Sequence, residues 1–319
     1  MPEQTRSRRL PKLVEFCLDA LLLSLFLVQA FLLGCFLTFG HLPIPNNLAE
    51  FYVGKVLPKD LEFSATSYQF YPDLSIRVDA PLLRLSSIEQ PIFESGRAIL
   101  EIDFFTKGHF QPRADNLILS GGSLYLPAVY SPNGQRTPLL ERIAASLRVN
   151  EEILAIESFA AIHESIRVRG SAHFPRELQE DDSEVSVEAL ARAFFNQANL
   201  ALKETSRIEG LKQPTLFFQF KQDASGAFIA EARLTSRELN RAEIEARDVS
   251  LQTQFTYTAG RLQAGSSVIF KAAAIDSKAY GFRSRNFRAL IDQEQWSNLL
   301  DGDWPNLDLV ADSIVVDTI

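Results

Sequence analysis

The strongest constraint on this chain is an uncharged apolar segment near its N-terminus, Ala20 to Phe39. As a helix rising about 1.5 Å per residue, this segment spans about 30 Å, which is the thickness of the hydrocarbon core of a bilayer. Most of its residues are Leu, Phe or Val, whose insertion into a membrane is favourable. The sequence therefore predicts a transmembrane helix at residues 13–40, preceded by a basic tail at residues 1–12.

The charges beside this helix predict its orientation. Four basic residues precede it, Arg6, Arg8, Arg9 and Lys12, whereas the stretch at 40–45 that follows carries no charged side chain. Basic flanks stay in the cytoplasm, so the tail should be cytoplasmic and the remaining residues should lie across the membrane. The alternative is a cleaved signal peptide, which has a shorter apolar core and a small-residue cleavage site. Leu37-Thr38-Phe39-Gly40 matches such a site poorly, so we expect an uncleaved single-pass anchor.

A linker with three prolines at residues 41–60 leads into a body, residues 61–319, with the period-two alternation of β-strands. Turn sequences such as Asn133-Gly134 separate the alternating runs, and short connections join antiparallel neighbours. We expect a mainly β fold, in which the transmembrane helix is followed by a long antiparallel, curved sheet. Two runs carry this pattern most clearly, one with Phe228, Ala230, Ala232 and Leu234, and the other with Val249, Leu251, Phe255 and Tyr257.

One segment departs from this period. From residue 184 to 207 the apolar residues fall at helical spacing, which predicts an amphipathic helix inserted between strands. Its apolar stripe includes Leu190, Phe194 and Leu202, which we expect to cover part of the sheet. Two interpretations stay open: a helix packed on the sheet, or a lid over an apolar groove.

Composition and motifs restrict the classes of function. The net charge of -8 argues against nucleic acid as a partner, because phosphate binding needs a basic patch. The four histidines are scattered, and the chain has no nucleophile elbow, zinc-protease motif or phosphate-binding loop. We therefore predict no catalytic residue, no metal ligand and no cofactor. A binding, conduit or scaffold role is favoured over an enzyme.

The order of these features resembles the AsmA-like family of bacterial envelope proteins. The resemblance rests on the basic start and anchor, on the hairpin at 153–174, and on three short runs, Leu42-Pro43-Ile44-Pro45, Val56-Leu57-Pro58 and the Gly-Gly stretch at 119–128. It implies an anchor in the bacterial inner membrane and a periplasmic body shaped as a β-groove. It also implies a bridge-like lipid transfer role in phospholipid transport and outer-membrane biogenesis. Members of the family are usually considerably longer than this chain.

A single sheet with alternating faces must cover its apolar face, either with a second sheet or, in a half-pipe, with acyl chains. The sequence leaves both arrangements open. Phospholipid, the membrane and envelope proteins are the partners we predict, and the alternative function is a non-catalytic scaffold for a protein or glycan. The candidate groove residues are the large apolar residues of one predicted face: Phe218, Phe220, Phe228, Leu251, Phe255, Tyr257 and Phe270.

Overall fold

A computed structural model of the chain describes most of the N-terminal apolar helix and most of the body. The described residues are 12–106, 109–131, 133–149, 153–175, 195, 210–222, 226–241, 243–258, 261–263, 266–278, 281–292, 308–311 and 313–316.

The N-terminal helix α1 (Lys12–Phe39) agrees with the predicted apolar helix. Its stretch from Ala20 to Phe39 has a mean hydropathy of 2.5 and is long enough to cross a membrane. Apolar side chains such as Leu21 and Phe26 are 65% exposed, which suits a lipid environment better than water. The apolar helix is confirmed, whereas its orientation in the cell stays a prediction.

The segment at 41–60, interpreted from the sequence as a linker, forms a strand and a helix. Strand β1 (Leu42–Ile44) follows α1, and helix α2 (Asn46–Val56) follows β1. Prolines mark the limits of α2, since Pro45 is its N-cap residue and Pro58 lies just beyond its C-cap Leu57.

The body is mainly β, as predicted. Nineteen further strands are described: β2 (Leu61–Ser64), β3 (Ser67–Phe70), β4 (Ser75–Asp79), β5 (Leu82–Leu85), β6 (Phe93–Glu94), β7 (Arg97–Thr106), β8 (His109–Leu126), β9 (Thr137–Val149), β10 (Ile153–His163), β11 (Ile166–Pro175), β12 (Leu211–Lys212), β13 (Thr215–Gln222), β14 (Phe228–Arg241), β15 (Ile244–Thr258), β16 (Arg261–Leu262), β17 (Ser267–Ser277), β18 (Phe282–Asp292), β19 (Asp308–Val310) and β20 (Ser313–Val316). All the described strands belong to one hydrogen-bonded sheet.

Neighbouring strands mostly follow the order of the chain. The main series of pairs runs β1–β3–β4–β7–β8–β9–β10–β11–β13–β14–β15–β17–β18–β20. The short strands β2, β5 and β6 extend the series beside β3, β4 and β7. β2 pairs with β5, β5 pairs with β6, and β6 pairs with the end of β8. Local connections of this kind give the sheet its meander.

The expectation of a wholly antiparallel sheet is wrong at one place. β11 and β13 pair in parallel, with Gly170 opposite Phe218. A parallel pair requires the chain to return to the same end of the sheet through a long crossover. The sheet is therefore mixed. The helix predicted at 184–207 falls between these two strands and, apart from Phe195, lies outside the described residues.

A row of backbone breaks, here called the crease, crosses the sheet. It contains residues with positive φ in or beside successive strands: Ala80, Gly121, Arg142, Gln213, Asp248 and Asn286. At the crease, the alternation of side chains between the two faces of the sheet shifts by one residue. Apolar residues before and after the crease therefore lie on the same face. In β15, for example, Val249 and Ala246 belong to the same buried cluster although Asp248 lies between them.

Candidate functional site: the apolar face of the sheet

The strand pairs place one nearly continuous apolar row across the sheet from β1 to β18. The side of the sheet that carries this row is called the apolar face below. Thr253 is the one polar residue in the row. Successive partners in the row are Ile44, Tyr68, Val78, Ala98, Leu119, Ala145, Phe159, Gly170, Phe218, Ala232, Thr253, Val268 and Ile291.

The seven candidate groove residues all lie on this apolar face. Phe218 belongs to the row itself, and Phe220 lies two residues further along the same strand. The other five residues are placed by their pairing partners: Phe228 with Tyr257, Phe255 with Ala230, and Leu251 with both Leu234 and Phe270. The register therefore brings together all seven residues.

Aromatic rings form a contiguous ladder within this face. The ring centroids of Phe218 and Phe159 are 5.7 Å apart, those of Phe218 and Phe220 are 5.4 Å apart, and those of Phe220 and Phe228 are 5.8 Å apart. Gly170 lies opposite Phe218 in the parallel pair, and a Cβ atom there would come within 2.7 Å of the Phe218 ring. The absence of a side chain at Gly170 thus leaves room for the ladder.

Burial of the apolar face decreases along the sheet. In strands β3, β4 and β7 the residues of the row are buried, since Tyr68, Val78 and Ala98 are 3%, 8% and 6% exposed. Between β13 and β18 the large side chains are only partly covered, and Leu251 and Tyr257 are 36% and 47% exposed. Small residues beside the crease, such as Ala272 at 3%, are still buried there. The candidate site is therefore the half-exposed apolar face of β13–β18.

The opposite side of the same strands is mainly polar. Arg233 and Gln252 pair with each other there, and Gln219 pairs with Glu231. A cavity of about 370 Å³ lies along the crease, and its lining includes Arg247, Arg285 and Glu245. Charged side chains of both signs line this cavity, so it differs in chemistry from the apolar face.

The three predicted helix residues Leu190, Phe194 and Leu202 lie outside the described residues. The neighbouring Phe195 is described, has helical backbone geometry and is 2% exposed. It joins a buried cluster with Leu85, Leu126 and Leu139, and its ring stacks on Tyr130 with centroids 5.4 Å apart. A helical residue of the crossover therefore packs on strands β5, β8 and β9.

Sequence reasoning missed several residues of the apolar face. Phe159, Val268 and Ile291 belong to the row but were not among the candidates. Phe159 lies in a predicted strand, and its alternation with Ala161 is the signal that could have assigned it to the apolar face. The contact between Phe159 and Phe218 depends on the parallel pair, which no local pattern predicts.

The described residues contain no group of three or more His, Cys, Asp or Glu side chains that could hold a metal ion. His163 is instead engaged with the backbone, since its Nδ1 lies 2.6 Å from the carbonyl oxygen of Leu139. The chain matches no protein-family model, no curated protein and no solved structure.

Proposed function

We propose that this chain is a membrane-anchored protein that binds the acyl chains of phospholipid on the apolar face of β13–β18. The observation that carries the proposal is the apolar face, on which Tyr68, Val78 and Ala98 are buried whereas the large side chains from β13 onward are only partly buried, with Leu251 and Tyr257 exposed. Large contiguous apolar surfaces are rare on soluble proteins unless they bind something. The apolar helix α1 supports an anchor in the membrane that supplies the lipid.

The size of the face fits an acyl chain. The main strands β13, β14, β15, β17 and β18 lie at about 4.8 Å spacing, so together they extend for roughly 20 Å. One leaflet of the hydrocarbon core is roughly 15 Å deep, half of the bilayer's thickness. A chain lying across these strands would therefore find apolar contacts along its whole length.

The cellular setting is part of the same proposal. The basic tail favours a cytoplasmic N-terminus, and the resemblance to AsmA-like proteins favours the bacterial inner membrane and a periplasmic body. In that setting the protein would bind or conduct phospholipid during envelope and outer-membrane biogenesis. It would need neither a catalytic residue nor a cofactor for this role.

Site-specific photo-crosslinking in cells tests the proposal, because two aromatic residues offer a matched pair of positions. Tyr257 on the apolar face is 47% exposed, and Phe217 on the opposite side of the sheet is 44% exposed. A benzophenone amino acid replaces each in turn in the full chain, and phospholipid is radiolabelled. We expect lipid crosslinks at position 257 and none at position 217.

A substitution at another position of the apolar face tests the same site, while the crosslinker stays at position 257. Phe255→Asp places a charge on the apolar face and should abolish lipid crosslinking at position 257, because a carboxylate is costly beside acyl chains. Phe217→Asp is the control and should leave this crosslinking intact. Equal labelling at 257 and 217, or no labelling at 257 in a folded chain, contradicts acyl-chain binding and favours a scaffold role. Unfolding of Phe255→Asp, seen by circular dichroism, would assign that residue to a closed core.

A further inference from the structure

Helix α2 is fixed to the body along one side. Ala49 packs against the buried cluster of Tyr68, Val78 and Ala98. At the first turn, Asn46 Nδ2 donates a hydrogen bond to the carbonyl oxygen of Thr66 at 3.1 Å. The orientation of α2 is therefore set by the sheet.

The other side of α2 exposes an apolar and aromatic surface. Leu48, Phe51 and Tyr52 are 50%, 57% and 61% exposed, and Lys55 is exposed beside them. These four residues, here called the α2 patch, have the spacing of one helix face. Lys55 Nζ lies 4.3 Å from the centroid of the Phe51 ring and 5.9 Å from that of Tyr52.

The α2 patch lies close in sequence to the end of the apolar helix. Helix α1 ends at Phe39 and α2 begins at Asn46, so even a fully extended connection would be about 20–25 Å long. Two contacts hold the connection near the sheet: β1 pairs with β3, and the rings of His41 and Tyr71 stack with centroids 5.4 Å apart. The start of α2 therefore lies no more than about 20–25 Å from the end of α1.

We propose that the α2 patch docks into the headgroup region of the bilayer that α1 spans. Aromatic residues concentrate at this depth of a membrane, and lysine places its ammonium among the headgroups while its alkyl stem stays in apolar surroundings. Anionic headgroups attract the charge of Lys55. The inference rests on the anchor in the proposed function, but not on lipid binding by the sheet.

Docking has a consequence for the body. The buried side of α2 packs on Tyr68, which belongs to the start of the apolar row. Contact between the patch and the headgroups therefore brings that start of the apolar face next to the bilayer. The body would be held in one orientation rather than tumbling about α1.

Fluorescence quenching in vesicles tests this docking with the full chain. Cys17 and Cys35 are replaced by Ala, and a single cysteine at position 52 or 278 carries an environment-sensitive fluorophore. Lys278, whose side chain is 74% exposed after β17, supplies the reference position. The vesicles contain phosphatidylethanolamine and phosphatidylglycerol, with a nitroxide quencher attached near the headgroup of a fraction of the lipid. We expect quenching and a blue-shifted emission at position 52, and neither at position 278.

Leu48→Ser with Phe51→Ser supplies the matched variant, because these substitutions leave the buried side of α2 unchanged. This variant should lose the quenching and the blue shift at position 52 while it still floats with vesicles. If the unsubstituted chain floats but position 52 behaves like position 278, the docking proposal is overturned and the anchor stands. A chain that does not float with vesicles overturns the anchor itself. A blue-shifted emission at position 52 without quenching by the lipid nitroxide would mean that this position is buried against protein, and it also overturns docking.

Discussion

Phe195→Ala tests whether the crossover between β11 and β13 is a packed part of the fold. The Phe195 ring is 2% exposed and contacts Leu85, Leu126 and Leu139 in the buried cluster. Truncation of a fully buried phenylalanine to alanine costs about 3–5 kcal/mol, because the transfer free energy is lost and a cavity is left behind. The stacked pair with Tyr130 accounts for about 1 kcal/mol of this.

The assay is urea-induced unfolding of the full chain in detergent micelles, followed by the circular dichroism of the sheet. Phe195→Ala should lower the free energy of unfolding by about 3–5 kcal/mol. Val129→Ala is the control, since Val129 is 74% exposed and such surface changes stay within about 0.5 kcal/mol. A double-mutant cycle with Tyr130→Leu should give a coupling free energy of about 1 kcal/mol.

A cost below about 1 kcal/mol for Phe195→Ala would refute this reasoning, because no fully buried aromatic ring can be removed at so small a cost. It would show that the strands near Leu126 and Leu139 are stable without the ring. The crossover would then be a segment that associates only loosely with the sheet, and the interpretation as a lid would gain support.

Two further predictions concern a buried hydroxyl group and the topology of the anchor. Burial, with a smaller contribution from the charge of Glu50, raises the pKa of Tyr68 from 10.0 to about 12, and its hydroxyl has no hydrogen-bond partner among the described residues. The unfolded chain therefore loses this proton first, so the stability contributed by Tyr68 should fall as the pH rises from 10.0 to about 12. Tyr68→Phe should abolish that fall and leave the free energy of unfolding at neutral pH equal or higher, because an unpaired buried hydroxyl is removed. For the topology, alkaline phosphatase fused after Ile319 should be active, since it works only outside the cytoplasm, and an inactive fusion would contradict the predicted orientation.

Local patterns were sufficient for part of this fold. The apolar helix depends only on a run of uncharged residues, and strands such as β14 and β15 depend on an alternation that each sequence window contains. The shared face of Phe228, Phe255 and Tyr257 follows from that alternation once neighbouring strands pair in register. For the same reason all seven candidate residues lie on one face.

Other features required contacts between distant residues. Arg142, Asp248 and Asn286 adopt positive φ at the crease, where neighbouring strands are all interrupted. No local sequence pattern predicts this conformation for an arginine. The segment 41–60 contains prolines that are as compatible with a linker as with the limits of α2, and it is the packing of Ala49 on the Tyr68 cluster that stabilises a helix there.

The sequence by itself determined which residues are apolar, how they alternate, and where the apolar N-terminal helix lies. Only the tertiary structure decided that β11 pairs in parallel with β13, that Phe159 therefore meets Phe218, and that Phe195 is buried beneath Tyr130. The physical reason is that alternation and hydrophobicity are properties of neighbouring residues in the chain. Strand order and burial instead depend on the free energy of contacts between segments that are far apart in sequence.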